Sequence, residues 1–209
     1  MSAATPTPET LLEATALVRR FGRLRVLKGL DLRVERGELL QVTGPNGCGK
    51  STLLRCLAGL MAPQKGTIRC RVGGQDLDVA ARRRAVGYVA PDLEFYGELT
   101  TLENLDFVCR LRRIDNDRSR ELLDRVGLPH DRMASALSSG MRQRLRWAFA
   151  LLDRPAILLL DEPLQNFDAP GRRVVLELLE DHLDHGLAVV ANPDPLELPH
   201  VARSLDLGD

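Results

Sequence analysis

The fold is decided by one stretch, Gly44-Pro45-Asn46-Gly47-Cys48-Gly49-Lys50-Ser51-Thr52, which satisfies the pattern G-x-x-x-x-G-K-[ST] in full. The apolar run Leu39-Leu40-Gln41-Val42 precedes it and is typical of a buried strand. The residues from Thr52 to Ala58 follow it with the apolar spacing of a helix. A strand, a glycine-rich loop and a helix in this order predict a phosphate-binding loop, or P-loop, and therefore a bound nucleoside triphosphate.

The residue types of the P-loop suit phosphate binding. Its glycines let backbone N–H groups turn toward the phosphates, and the start of the following helix adds a favourable dipole. We expect every residue of the loop to contact the nucleotide. Lys50 is expected to lie on the β- and γ-phosphates and to assist catalysis, while the Ser51 hydroxyl binds Mg²⁺. Cys48 is interpreted as a small residue that the loop tolerates.

Composition limits the other classes of function. The 209 residues suit one domain, and 29 basic residues balance 29 acidic ones, so no net charge favours a nucleic-acid partner. The four cysteines lack metal-site spacing, which favours a reducing, cytoplasmic setting. No apolar run is long enough to cross a bilayer. The Ala/Thr/Pro-rich start from Met1 to Thr10 predicts a disordered tail.

A second motif places two carboxylates after a short apolar run. Ile157-Leu158-Leu159-Leu160 is typical of a central strand of a parallel sheet, and Asp161-Glu162-Pro163 follows it directly. Ligands bind at that end of such strands. Asp161 is expected to hold Mg²⁺ opposite Ser51, and Glu162 to act as the general base that polarises the attacking water. The alternative is that the pair only ends the strand and caps the next element.

A third motif opens a helix that runs toward Leu152. Ser138, Ser139 and Gly140 precede the apolar positions of this helix, beginning at Leu145. The serines either cap the helix or present a hydroxyl and free N–H groups to an anion, and the residues alone leave both interpretations open.

The order of predicted elements indicates an α/β protein. Strand-like patterns cover Ala14 to Thr43, Thr67 to Val72 and Ala85 to Val89, and the turn Pro63-Gln64-Lys65-Gly66 lies among them. Helical patterns run from Thr101 to about Leu152, where one predicted apolar face consists of Leu102, Leu105, Val108 and Leu111. A helix over Arg172 to His185 and a strand over Leu187 to Ala191 complete the order.

Taken together, the three motifs resemble the nucleotide-binding domain of ABC transporters, from about Leu17 to Leu207. Leu137 to Met141 is similar to the family's LSGGQ signature, here LSSGM. The segment Asp161-Glu162-Pro163, with Asp168, is similar to its Walker B and D-loop. Phe21 is similar in position to the aromatic residue that stacks on adenine, although a core phenylalanine is an equal alternative.

The resemblance implies a P-loop NTPase fold of ABC type: a mixed β core with a parallel sheet, an antiparallel β subdomain and a helical insertion. Residues 11–90 and 153–209 would form the catalytic core, and about 91–152 the helical subdomain. ATP and Mg²⁺ would lie between two facing nucleotide-binding subunits, with Ser138, Ser139, Gly140 and Met141 contacting the partner's ATP. Hydrolysis would drive integral membrane subunits from the cytoplasmic side.

Three departures from the family pattern bear on turnover. Pro91 stands where the family has Gln, and Pro193 stands where it has His. Asp92 would supply a metal-facing oxygen or belong to a plain Pro-Asp turn, and Asn192 is the amide nearest the missing His. Met141 ends the signature in place of Gln. Slow hydrolysis by a regulatory ATP-binding module is therefore an alternative to a transport ATPase, whereas a small-molecule kinase fits the signature poorly.

Within the family, the ATPase subunit of the heme exporter of cytochrome c maturation is the subgroup that the chain resembles most. The resemblance consists of Ala90-Pro91-Asp92, the short length and the compact ending.

Overall fold

The computed structural model describes residues 10–198 and 201–208. The predicted tail from Met1 to Thr10 lies outside the described residues except for Thr10. That residue is buried, and its carbonyl accepts a hydrogen bond from the Arg36 N–H at 3.0 Å. The tail prediction is therefore wrong at Thr10, which is tied to the start of the first sheet.

The described elements alternate between strands and helices. The strands are β1 (Leu11–Phe21), β2 (Leu24–Glu35), β3 (Leu39–Thr43), β4 (Lys65–Val72), β5 (Gln75–Asp76), β6 (Val86–Val89), β7 (Ile157–Asp161), β8 (Leu187–Ala191) and β9 (Val201–Asp206). The helices are α1 (Lys50–Leu57), α2 (Val79–Ala85), α3 (Thr101–Arg112), α4 (Asp117–Arg125), α5 (Ser139–Leu151) and α6 (Ala169–Leu183), with a 3₁₀ turn over Ala134–Ala136.

Two sheets divide the strands. An antiparallel sheet has the order β2-β1-β4-β5, and a parallel sheet has the order β6-β7-β8-β3-β9. Strands β3, β7 and β8 are buried along their whole length, as the continuous apolar runs predict. The predicted mixed α/β fold, with a parallel and an antiparallel sheet, is confirmed.

The parallel sheet separates two apolar layers. On β7, Leu158 and Leu160 face the layer that contains α5 and α6, while Ile157 and Leu159 face α1 and the antiparallel sheet. These four side chains are 0% exposed, and burying each contributes about 1.5–3 kcal/mol. Because successive side chains of β7 point to opposite faces of the sheet, this one strand packs against both apolar layers.

Several predicted boundaries shift for local reasons. Helix α6 begins at Ala169 instead of Arg172 because Asp168 caps it, accepting the Gly171 N–H at 2.9 Å. Lys65 and Gly66 belong to β4, not to a turn. Gly66 has φ +88° and lies against the carbonyls of Thr15 and Ala16, where the register with β1 shifts.

The predicted apolar face of α3 is wrong at its last position. Leu105 is fully buried, but Leu111 is 72% exposed because positions three apart drift around a helix, which places Leu111 on the side opposite Leu102. The sequence patterns also missed α2 and β9. Helices α3, α4 and α5 lie within the predicted helical insertion 91–152, whose boundaries as a separate subdomain stay a prediction. Within residues 10–198 and 201–208, no helix combines the length and apolarity needed to cross a membrane.

Close packing of α5 on β6 generates a first test. A Cβ atom on Gly87 would overlap the Ala150 carbonyl oxygen of α5. We expect Gly87→Ala to lower the free energy of unfolding by about 1–3 kcal/mol in urea titration, since the backbone of α5 has to move. Gly97→Ala is the matched control because its Cβ would meet only Ser135 at 3.4 Å. Equal effects of the two substitutions would contradict this packing.

Buried His182 predicts a specific dependence on pH. Burial lowers the pKa of this histidine from 6.5 to about 4, and its Nε2 bonds the Leu187 carbonyl at 3.0 Å. Between pH 6.5 and pH 4 the unfolded chain binds a proton that the folded chain does not, so stability falls as the pH falls. We expect the fall in the free energy of unfolding between these pH values to be roughly 2–3 kcal/mol smaller in His182→Gln than in the wild type. Exposed His185→Gln should retain the wild-type slope in urea titrations at each pH.

Candidate active site

The P-loop joins β3 to α1 at the carboxyl edge of the parallel sheet. Gly44 and Gly49 have φ values of +132° and +118°, in the left-handed region that favours glycine. A Cβ at Gly49 would also overlap a Val26 methyl group. Among the described residues no side chain caps α1, so its first N–H groups face the loop without a side-chain acceptor. The predicted loop conformation is the one that anion binding requires.

Lys50 is buried under this loop. Its side chain is 6% exposed, and Nζ donates to the carbonyls of Gly44 at 2.6 Å and Pro45 at 3.0 Å. A cavity of about 300 Å³ opens beside it, lined by Asn46, Gly47, Gly49, Lys50, Ser51, Thr52 and Glu162. Glu162 therefore lies at the same cavity as the phosphate-binding residues, although it is far from them in sequence.

Asp161 lies below this cavity and is 2% exposed. Burial raises the pKa of its carboxyl, and a hydrogen bond from the Ser51 hydroxyl opposes that shift. The structure thus brings together the two predicted metal-binding residues. Across the described ranges no group of three His, Cys, Asp or Glu side chains is placed to hold a metal ion by itself. Ser51 and Asp161 would supply oxygen ligands to a bound Mg²⁺, together with oxygens of the nucleotide.

Glu162 turns away from the strand that precedes it. Its φ of +47° is uncommon for a residue with a side chain, and its N–H donates to the Ala191 carbonyl at 2.9 Å. Gln165 Nε2 donates to its Oε2 at 3.0 Å. The alternative that the Asp-Glu pair caps the next element is wrong, because Asp168 caps α6. Glu162 instead lines the P-loop cavity.

The signature residues form a second cavity. Ser138 caps α5 and its hydroxyl accepts the Met141 N–H at 3.2 Å, so the capping interpretation is confirmed. The cavity, of about 510 Å³, is lined by Gly127, Ser138, Ser139, Gly140, Met141, Arg144, Asn166, Phe167 and Asp168. None of these residues lines the P-loop cavity. The two predicted halves of the site are therefore separate within one chain.

Asp168 belongs to this second cavity. Besides capping α6, its Oδ1 pairs with Arg144 Nη2 at 3.3 Å. Gly140 comes close to the same segment, since a Cβ there would lie 2.8 Å from the Asn166 carbonyl oxygen. The signature and the D-loop segment are thus packed as one surface.

Asp92, Asn192 and Pro193, at or beside positions that depart from the family pattern, do not line the P-loop cavity. Asp92 belongs to the turn after β6, and its carboxylate pairs with Arg55 Nη2 at 2.8 Å. Asp92 does not line the P-loop cavity, so the turn accounts for it and the metal role finds no support. The Asn192 amide donates to the Asp194 carbonyl at 2.8 Å, and the Pro193 carbonyl accepts the Gly44 N–H at 3.2 Å.

Phe21 is 46% exposed, and the Arg19 guanidinium lies 5.0 Å from its ring centroid. The interpretation as a core phenylalanine is therefore wrong, while stacking on adenine stays a prediction. Sequence reasoning missed Gln165, Gln143 and Trp147, which contact the segment from Glu162 to Pro163. Gln143 and Trp147 reach this segment because α5 packs against it, whereas Gln165 lies three residues after Glu162 in the same turn.

Comparison with known sequences supports this assembly of motifs. A sequence model of the family described as "ABC transporter" matches residues 27–165. The chain belongs to the ABC transporter family. It is 38% identical to the sulfate/thiosulfate import ATP-binding protein of Bordetella bronchiseptica, over 91% of this chain and 57% of that protein. It is also 38% identical to the phosphonates import ATP-binding protein of Alcaligenes faecalis, over 80% and 68% respectively.

A solved structure shares both the fold and moderate identity. It is a dimeric, post-hydrolysis ATP-binding cassette bound to ADP and Pi, with a TM-score of 0.76 and 26% identity over 88% of each chain. The chain spans less than two thirds of the length of the first curated relatives, 57% in the Bordetella bronchiseptica protein.

Lys50 offers a direct test of the site. Lys50→Met removes a buried charge-assisted donor, so the Kd for ATP should rise about 10- to 100-fold in calorimetric titration. Exposed Lys65→Met, on β4, is the matched control and should bind ATP as the wild type does. Unchanged affinity in a folded Lys50→Met variant would exclude the P-loop cavity as the nucleotide site.

Proposed function

We propose that the chain is the ATP-binding and ATP-hydrolysing subunit of an ABC transporter, acting with Mg²⁺ from the cytoplasmic face of a membrane. The observation that carries this proposal is the position of Glu162. Glu162 lines the same cavity as Lys50 and Ser51, so a candidate base lies beside the candidate phosphate site. Phosphoryl transfer requires mainly such positioning and electrostatic stabilisation.

The roles follow from the chemistry of the residues. Lys50 and the N–H groups at the start of α1 stabilise phosphate charge. Ser51 and Asp161 hold Mg²⁺, which neutralises charge on the phosphate oxygens. Glu162 accepts a proton from the attacking water, and Gln165 orients its carboxylate through the 3.0 Å hydrogen bond.

The separate signature cavity supports a two-subunit site. In one chain, Ser138 to Met141 share no cavity with the P-loop. A second subunit placed head to tail would bring its signature to this chain's nucleotide, with N–H groups at the start of α5 facing the phosphates. The similar cassette bound to ADP and Pi is dimeric, which favours this arrangement. Integral membrane subunits would complete the transporter.

A slowly hydrolysing regulatory module is the second candidate. It is favoured by Pro91 and Pro193, which offer no side-chain hydrogen bond where the family has Gln and His. The turnover rate of the chain separates the two candidates. Release of phosphate without any acceptor substrate would separate both from a small-molecule kinase.

The transported substrate is a finer proposal. Ala90-Pro91-Asp92 supports heme export for cytochrome c maturation, whereas the similar curated proteins are import proteins for sulfate or thiosulfate and for phosphonates. Family membership therefore supports a transporter ATPase without fixing the direction. The test is to identify the membrane partner that co-purifies with the chain from detergent-solubilised membranes. A heme-bearing partner would support heme export, and a heme-free import permease would overturn the heme-export proposal.

Glu162→Gln tests the proposed function. It keeps the shape of the side chain but removes the base, so kcat should fall at least about 100-fold while the Kd for ATP stays within about twofold. The variant should form an ATP-dependent dimer that light scattering detects after size-exclusion chromatography.

The matched control is Glu180→Gln, which neutralises an exposed carboxylate on α6. It should retain wild-type turnover and show no trapped dimer. A Glu162→Gln variant that binds ATP but remains monomeric would contradict the two-subunit proposal.

A further inference from the structure

The backbone of Glu162 is held in a strained conformation by specific partners. A non-glycine residue at φ +47° is strained and persists only where its surroundings enforce that conformation. Its N–H bonds the Ala191 carbonyl, and its own carbonyl accepts the backbone N–H of Gln165 at 3.2 Å. One side chain from another element also reaches that carbonyl. Gln143 of α5 places Nε2 3.4 Å from it.

Helix α5 holds the next peptide group as well. The Pro163 carbonyl accepts hydrogen bonds from Gln143 Nε2 at 3.3 Å and from Trp147 Nε1 at 3.1 Å. Gln143 is 3% exposed and Trp147 is 1% exposed. The peptide groups on either side of the turn after Glu162 are therefore fixed by buried donors of one helix.

Arg146 fixes the orientation of the Gln143 amide. Its Nη1 donates to Gln143 Oε1 at 3.1 Å, and its Nε donates to the Leu93 carbonyl at 3.1 Å. Because Oε1 accepts from the guanidinium, Nε2 has to face Glu162 and Pro163. Arg146 is 9% exposed, and burial lowers its pKa. Within the part of the chain that the structure describes, no carboxylate forms an ion pair with it.

Burying a guanidinium whose hydrogen-bond partners are carbonyl oxygens carries a desolvation penalty. An apolar side chain of similar volume often stabilises a core equally well or better. We propose that Gln143 and Arg146 are positioning residues for Glu162, acting through its backbone from helix α5. The inference rests on the proposed function of Glu162 as base. The bridge runs from the Leu93 carbonyl through Arg146 and Gln143 to the Glu162 and Pro163 carbonyls. The helix that begins with the signature thus sets the direction of the catalytic carboxylate.

Two substitutions break the bridge in opposite ways. Gln143→Glu keeps the size and gives Arg146 a carboxylate partner, but removes the N–H donors to Glu162 and Pro163. Arg146→Met keeps the length of the side chain and removes its charge, leaving the Gln143 amide free to rotate. In both variants kcat for ATP should fall about tenfold, with the Kd for ATP and the melting temperature close to wild-type values.

Arg82→Met is the matched control. Arg82 is also buried, at 6% exposure, its pKa is also lowered by burial, and it donates to the Ile68 carbonyl at 3.5 Å in the other half of the core. It should leave kcat unchanged. Unchanged kcat in both bridge variants, or a Kd that rises in parallel with the loss of kcat, would overturn the positioning role.

Hydrogen exchange provides a readout that needs no turnover. Amides between Asp161 and Gln165 should exchange faster in Gln143→Glu and Arg146→Met than in the wild type and Arg82→Met. Trp147 is the only tryptophan, so its emission should also shift in the bridge variants as Pro163 moves. Unchanged exchange and emission would overturn the inference. A wild type without ATPase activity would instead overturn the proposed function, while the exchange comparison would still decide whether the bridge holds this segment.

Discussion

Register between three parallel strands is the constraint on which the site depends. Ala191 at the end of β8 pairs with Val42 of β3 on one side and with Asp161 of β7 on the other. The Asn192 N–H then donates to the Val42 carbonyl, and the Glu162 N–H donates to the Ala191 carbonyl. These bonds bring the P-loop and the two carboxylates to one edge of the sheet. A shift of one residue between β7 and β8 would turn Asp161 to the other face.

The same arrangement explains the electrostatics of the cavity. Lys50 and Asp161 are both nearly inaccessible to solvent, so each would be costly to bury alone. Lys50 is satisfied by loop carbonyls, and Asp161 accepts a hydrogen bond from the Ser51 hydroxyl, while the charges of Arg55 and Lys50 also favour the ionised carboxylate. A cation held by Ser51 and Asp161 would favour the ionised carboxylate, which burial disfavours. The site is therefore arranged for a ligand that brings both phosphate and metal charge.

Residues that act through local chemistry were predictable from the sequence. The P-loop, the buried run before Asp161 and the cap at Ser138 all lie in contiguous segments whose composition specifies their conformation. The exposed side of α3 at Leu111, the outward position of Phe21 and the additional strand β9 were not predictable, because each depends on what packs against the segment. Gln143 is the sharpest case. Its neighbours in sequence suggest an ordinary helix, and its contact with Glu162 exists only because α5 packs against the segment that follows β7.

That packing has a consequence for how one subunit acts on another. Gly140 fits α5 closely against the Asn166 carbonyl, and the same helix reaches the Glu162 and Pro163 carbonyls through Gln143 and Trp147. A helix is stiff along its hydrogen-bonded axis, so a displacement of Ser138 would also displace Gln143. In the proposed dimer, the nucleotide bound to the second subunit would contact the signature of the first. The position of Glu162 in the first subunit would then depend on both nucleotides. The nucleotide in its own P-loop cavity would act through the Glu162 carboxylate, and the nucleotide at the signature would act through α5.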